Sequence, residues 1–256
     1  MSNPTWNADL YLRFERERGL PVRDLLHRVA VAPKTIVDLG CGPGNSTAAL
    51  AERFPNATIT GVDLDEGMLA NARASDVPAT WHRADLHAYV PAEPVDLLFS
   101  NAAYQWVHGQ ADVLPRLMQS LTTGGQLAMQ IPTHESSAVH RAILDTLADG
   151  SWSSLDLGDR RIFEIHSPAD YYDILAPHAA IVELWTTEYQ HVLGSAGDVV
   201  AWIRGSGLRP YLQGMPEQHH DAFVTAFAER VAKAYPSQPD GRVIFPFRRL
   251  FFVATR

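Results

Sequence analysis

The chain has 256 residues, 46% of them hydrophobic, and a formal charge of −8, which suits one large globular domain. An acidic balance with no basic run argues against nucleic acid or an anionic membrane as the main partner. No apolar run reaches the roughly 18–20 residues that span a bilayer, and the opening segment has no apolar signal core, so a cytosolic protein is expected.

Two helices are expected first. "ADLYLRFERERG" puts Leu10, Tyr11 and Phe14 on one face, and "PVRDLLHRVA" starts with Pro21 at a favoured first position. Alternation follows: a buried strand at 35–40, a helix at 45–54 capped by Asn45, a strand at 58–63 and a helix at 65–75 capped by Asp65. Strands at 79–85 and 95–101, a helix at 111–121 and a strand at 125–132 continue the pattern. Such alternation predicts an α/β fold, a largely parallel sheet with helices on both faces. Beyond residue 133 a helix at about 136–148 and a capped helix at 167–175 lead to a long strand at 180–193. Residues 195–235 read as helical, and 242–256 as a last strand. One domain is therefore expected, with N-terminal helices over 1–30, an α/β core over 30–193 and 240–256, and a helical insertion over 194–239 that can cover the strand ends as a lid.

"IVDLGCGPGN" (36–45) carries the chemistry. A strand that ends in glycines and opens a helix brings bare backbone and free N–H groups up to a ligand. The register is Gly40-x-Gly42-x-Gly44, with Asn45 where a dinucleotide loop needs its third glycine, and Asp38 would repel a pyrophosphate. An α-ammonium or a water suits Asp38 better. A dehydrogenase reading is accordingly disfavoured.

"VDLGCGPG" resembles the first motif of class I S-adenosylmethionine (SAM) methyltransferases, and "GVDLDEGML", "RADLH" and "LLFSNAAYQW" resemble the next three in order. The resemblance implies a Rossmann-like seven-stranded sheet and SAM as cofactor. It also implies a SAM site made by Asp38, Gly40, Cys41, Gly42, Gly44 and Asn45 in the loop. Asp63 would take the ribose hydroxyls, Leu64 and Met68 would flank the adenine, Asp85 with Leu86 would meet its amino group, and Asn101 would stand near the methionine moiety. "NAAYQW" and the flanks "WNADLYLRFERERGLP", "QIPTHESSAVH", "AWIRGSGLRPYL" and "FRRLFFVA" are similar to the trans-aconitate methyltransferase family. The weakest correspondence lies around "DGSWSSLDLGDRR".

A carboxylate acceptor fits the residues independently. It is already ionised at neutral pH, since free carboxyls titrate near ~4, so it needs no general base. What it needs is donors that align it with the methyl group. All basic residues except Lys34 and Lys233 are arginines, the side chain best shaped to pair with carboxylates. Gln105 and Trp106 are the expected residues beside the methyl group, and Tyr11, Arg18, Tyr189, Arg209, Tyr211 and Arg249 the expected substrate shell. No metal is expected, because the histidines lack ligand spacing. The expected partner is a small polycarboxylate, trans-aconitate. The alternatives are another small acid, a malonyl-carrier protein, or a SAM-binding protein without turnover.

Overall fold

The computed structural model describes residues 14–133, 136–153, 155 and 162–256. The strands are β1 (Thr35–Leu39), β2 (Thr58–Asp63), β3 (Thr80–Arg83), β4 (Val95–Asn101), β5 (Leu121–Pro132), β6 (Ile181–Leu193) and β7 (Val243–Thr255). They form one sheet in the order β3-β2-β1-β4-β5-β7-β6, parallel except that β7 runs antiparallel to both β5 and β6. The winding reverses between β1 and β4. In an open α/β sheet that reversal opens a crevice at the carboxyl ends of the strands, where ligands sit.

The core strands are nearly all apolar because both faces are covered. On one face Ile36, Leu97, Phe99, Ala128, Phe251 and Val253 pack under α1 (Glu15–Arg28) and α2 (Asn45–Arg53). On the other, Val37, Leu98, Leu127, Met129 and Phe252 pack against α4 (Gln110–Gln119) and α6 (Pro168–Leu175). Each of the larger side chains removed from water contributes about 1.5–3 kcal/mol. Alternate residues of each strand thus feed two separate cores. The helix α3 (Glu66–Arg73) follows β2, and Asp65 caps it by accepting the Met68 N–H at 3.1 Å.

Two expectations are corrected. Pro21 does not start a second helix: α1 runs through it, and burial of Pro21, Val22, Leu25 and Leu26 against the sheet outweighs the lost backbone bond. Asn45 does not cap α2, whose cap residue is Gly44 at φ 100°.

A third core lies beyond the sheet's edge. β5 ends at Pro132, opposite Arg249, so residues 243–248 of β7 pair with β6 alone. At about 3.4 Å per residue this two-stranded ribbon extends roughly 20 Å past β5. On it pack α5 (Ala138–Leu147), α7 (Ala196–Arg204), α8 (Arg209–Gln213) and α9 (His220–Ala234), through Trp202, Phe223, Phe227, Phe245 and Phe247. Phe14, at the start of α1, joins this core, with its ring 5.1 Å from Trp202. Among the described residues no helix is long and apolar enough to cross a membrane.

Candidate active site

Three loops meet at Gly40. Its φ is +77°, and a Cβ there would lie 2.2 Å from Ala103 Cβ and 3.4 Å from Leu86 Cδ1. The loops after β1, β3 and β4 therefore close on one bare α-carbon, which only glycine allows. Gly42 is the opposite case: φ is +55°, yet a Cβ would meet nothing within 4 Å. Its α-carbon faces open space at the start of α2.

Asp38 lies wholly buried under this loop. Ser46 Oγ and Thr47 Oγ1 each donate to its Oδ2 at 2.7 Å, tying the first turn of α2 to β1. Burial pushes its carboxyl up to about 6, against the pull of the two hydroxyls. Cys41 is also buried. Burial first, then the neighbouring Asp38 and Asp63, drives its thiol far above the ordinary range, so it stays an unreactive small side chain.

Asp63 closes β2 and grips the loop. Its Oδ2 accepts the Gly42 N–H and its Oδ1 the Asp65 N–H, both at 2.9 Å, which leaves each oxygen a second lone pair for a ligand. Beside it Leu64 stands 56% exposed, while Met68 is buried. Asp85 is exposed after β3, one oxygen accepting the His87 N–H at 2.9 Å; Leu86 packs beneath the loop.

The end of β4 is strained. Ala102 adopts φ 57°, a left-handed conformation that costs a non-glycine residue about 1–2 kcal/mol. Two hydrogen bonds hold it: the Ala102 N–H donates to the Gln130 carbonyl at 3.0 Å, and Gln105 Nε2 donates to the Ala102 carbonyl at 2.6 Å. Gln105 Oε1 and Asn101 Oδ1 remain buried without a hydrogen-bond partner among the described residues. Such orphaned acceptors beside a strained residue mark a place built for something the chain does not supply. Trp106 is 39% exposed, its indole 4.6 Å from the Phe163 ring. Glu164 anchors the same turn: its N–H donates to the Gln105 carbonyl, and its carboxylate accepts the Gly109 and Gln110 N–H groups at 2.8 and 2.9 Å.

Across the sheet, Arg249 at the start of the shared part of β7 is 5% exposed. Its Nη1 donates to Gln130 Oε1 at 3.1 Å, and its guanidinium lies 4.7 Å from the Phe247 ring centroid. Arg18 of α1 stacks over Trp202 at 5.1 Å. A glycine loop gripped by the Asp63 carboxylate thus stands at the ends of β1 and β2, and a buried guanidinium stands on β7. That sequence of groups suits a nucleoside-like ligand at one end and an anion at the other.

Comparisons with known proteins agree. A family model described as a methyltransferase domain matches residues 36–125. The chain is 47% identical over 254 residues to a trans-aconitate 2-methyltransferase of Azoarcus sp. (strain BH72), covering 99% of this chain and 100% of that one. It is 43% identical over 256 residues to a trans-aconitate 2-methyltransferase of Paracidovorax citrulli, covering 98% of each. The chain belongs to the trans-aconitate 2-methyltransferase family. A solved coclaurine N-methyltransferase, bound to N-methylheliamine and SAH, shares the fold at a TM-score of 0.59 across 93% of this chain and 72% of that one, at 14% identity.

Within this family member the expected residues fall into three groups. Gly40, Cys41, Gly42, Gly44, Asn45, Asp63, Leu64, Met68, Leu86, Asn101, Gln105 and Trp106 lie on or just under the loops at the carboxyl ends of β1, β2, β3 and β4, and Asp85 beside them; Asp38 lies beneath. Arg18 and Arg249 flank the Trp202–Phe247 wall. Tyr189 has its hydroxyl committed to Asp24 of α1, to which it donates, so it docks the helix. Tyr211 is buried in the third core, and Arg209 is half-buried at the start of α8. Tyr11 lies outside the described residues. Gln130, Ala102 and His191 were not expected; Ala102 follows directly on β4, and only the register of β5, β7 and β6 puts Gln130 and His191 on this face. Among the described residues no group of three or more His, Cys, Asp or Glu could hold a metal ion.

Proposed function

We propose that the protein transfers the methyl group of SAM to a carboxylate of trans-aconitate, giving a monomethyl ester. The observation that carries this reading is near-complete-length identity of 47% to a trans-aconitate 2-methyltransferase. The residues present fit the cofactor: open space over Gly42, spare lone pairs on Asp63, an exposed apolar Leu64 and the unpartnered Asn101 Oδ1. When bound, SAM supplies an electrophilic methyl group on a sulfonium.

In this reading Asp63 accepts the ribose hydroxyls, Leu64 and Met68 flank the adenine and Asp85 meets its amino group. The loop 40–45 carries the amino-acid end, with Asn101 beside it. Asp38 serves from below, holding α2 in place through Ser46 and Thr47. Gln105 and Trp106 set the acceptor carboxylate in line, and alignment of that kind supplies several kcal/mol of a barrier. Arg249, with Arg18 and Arg209, holds the remaining carboxylates. No side chain has to remove a proton, because the acceptor is an anion at neutral pH. The helices between β6 and β7 exclude water, which strengthens every charge contact inside. The partner is a small molecule, and the cytosol is the proposed location, fitting a chain whose one thiol is buried.

The test compares initial rates with trans-aconitate, cis-aconitate, citrate, isocitrate and malonyl-carrier protein. Fastest transfer to trans-aconitate supports the reading; preference for the carrier protein, or no transfer to any acid, overturns it.

A further inference from the structure

A tricarboxylate has to be held at more than the carboxylate that reacts, and one arginine cannot satisfy all of it. The sheet register sets a polar row on one face of its carboxyl edge. Gln130 and Pro132 of β5 oppose Phe251 and Arg249 of β7, and Thr187, Tyr189 and His191 of β6 oppose Arg249, Phe247 and Phe245. Side chains directly opposite one another share a face, so Gln130, Arg249 and His191 look the same way, beneath α1 and α7.

Two atoms in this row are conspicuous. Gln130 is fully buried, and its Oε1 accepts from Arg249 Nη1. That bond fixes the amide, because a guanidinium can only donate, and leaves Nε2 as the free end. Gln130 Nε2 is buried with no hydrogen-bond partner among the described residues. His191 is 3% exposed, and its Nε2 is buried and equally without a partner. Its ring lies 5.0 Å from Trp202 and 6.4 Å from Phe247, the ring over which the Arg249 guanidinium sits. Buried polar groups in folded proteins are almost always satisfied. Two orphans on either side of one arginine call for an acceptor from outside the chain.

We propose that Gln130 and His191 bind carboxylates of the acceptor on either side of Arg249, Gln130 through its amide N–H and His191 through a ring N–H. The inference rests on the methyltransfer to a polycarboxylate proposed above. The three groups divide the work: Arg249 brings the charge, and two neutral donors fix orientation without adding charge that would have to be desolvated in the empty site. Burial, then the nearby Arg249, pushes His191 down to about 4, so its ring is neutral at physiological pH and one nitrogen carries the proton as a donor. Tyr189, stacked on it at 5.8 Å, is spent on Asp24.

The test is steady-state kinetics with trans-aconitate, alongside SAM dissociation constants and melting temperatures. Gln130→Leu and His191→Phe should each raise KM about tenfold or more, with kcat within about threefold and SAM affinity unchanged. His191→Gln, which restores an N–H donor, should return most of the loss. Gln130→Glu keeps the shape and should raise KM further, since its carboxylate pairs with Arg249 and repels the acceptor. If Gln130→Leu or His191→Phe does not fold, Gln130→Glu and His191→Leu decide. An unchanged KM in the folded Leu, Phe or Glu variants of an active enzyme overturns this inference alone, as does a fall in kcat at constant KM. A wild-type protein that methylates no polycarboxylate overturns the underlying function and this inference with it.

Discussion

Gly42→Ala separates the cost of backbone strain from the loss of a ligand site. Gly42 and Gly124 both have positive φ, +55° and +80°, and at neither would a Cβ touch anything within 4 Å. In the free protein the two alanine variants should therefore pay the same kind of penalty, about 1–2 kcal/mol for a left-handed alanine. At about 2–4 °C per kcal/mol for a chain of this size, each should melt roughly 2–8 °C lower. Only at residue 42 does the new methyl group stand in the space proposed for SAM, between the glycine loop and the start of α2. Forcing a methyl group into a fitted contact costs about 1–3 kcal/mol, which is about 5- to 150-fold in the dissociation constant. Calorimetric titration with SAM, beside thermal melts of both variants, reads the two effects independently. If Gly42→Ala binds SAM as tightly as Gly124→Ala does, the loop is not the cofactor's cradle.

Three further outcomes follow from individual side chains. Asp38 titrates at about 6 in the folded protein against an ordinary 3.8, so the stability it lends is complete below about pH 4 and is lost as pH rises through 6. Asp38→Asn should accordingly gain on the wild type by about 3 kcal/mol between pH 4 and pH 7, and urea unfolding at the two pH values would show no such change if the carboxyl were solvated. Tyr189→Phe removes the bond to Asp24 and should lower the melting temperature by about 3 °C, for a loss of about 1 kcal/mol, while leaving KM for the acid alone; a raised KM would put the hydroxyl in the site. Trp106→Ala removes a ring that is 39% exposed and should cost at most about 1 kcal/mol of stability, yet lower kcat/KM about tenfold or more; equal activity would make Trp106 a surface residue.

The sheet was legible because its strands are short apolar runs punctuated by glycine and acidic residues, and such runs have few other ways to be buried. The loops proposed to hold the cofactor were legible for the same reason: they hang on strand ends, one motif per strand. The helix containing Pro21 was misread because proline favours a helix start and nothing local reveals the burial that carries α1 through it. Asn45 looked like a cap, but the first turn of α2 is held by Asp38, seven residues earlier and on a different element. The proposed substrate shell was less legible. Gln130 and His191 lie 61 residues apart and share one face only through the pairing of β5, β7 and β6. Tyr189 looked available until Asp24, 165 residues away, took its hydroxyl. The strained Ala102 left no trace in its own sequence at all.

The measurement that tests the central claim most directly is the product formed from methyl-labelled SAM and trans-aconitate by the purified protein. The account predicts one label per acid molecule, in a monoester that mild base releases as methanol, with no label on the protein. SAM bound at the glycine loop but no labelled ester, with trans-aconitate or any other small acid, would contradict it.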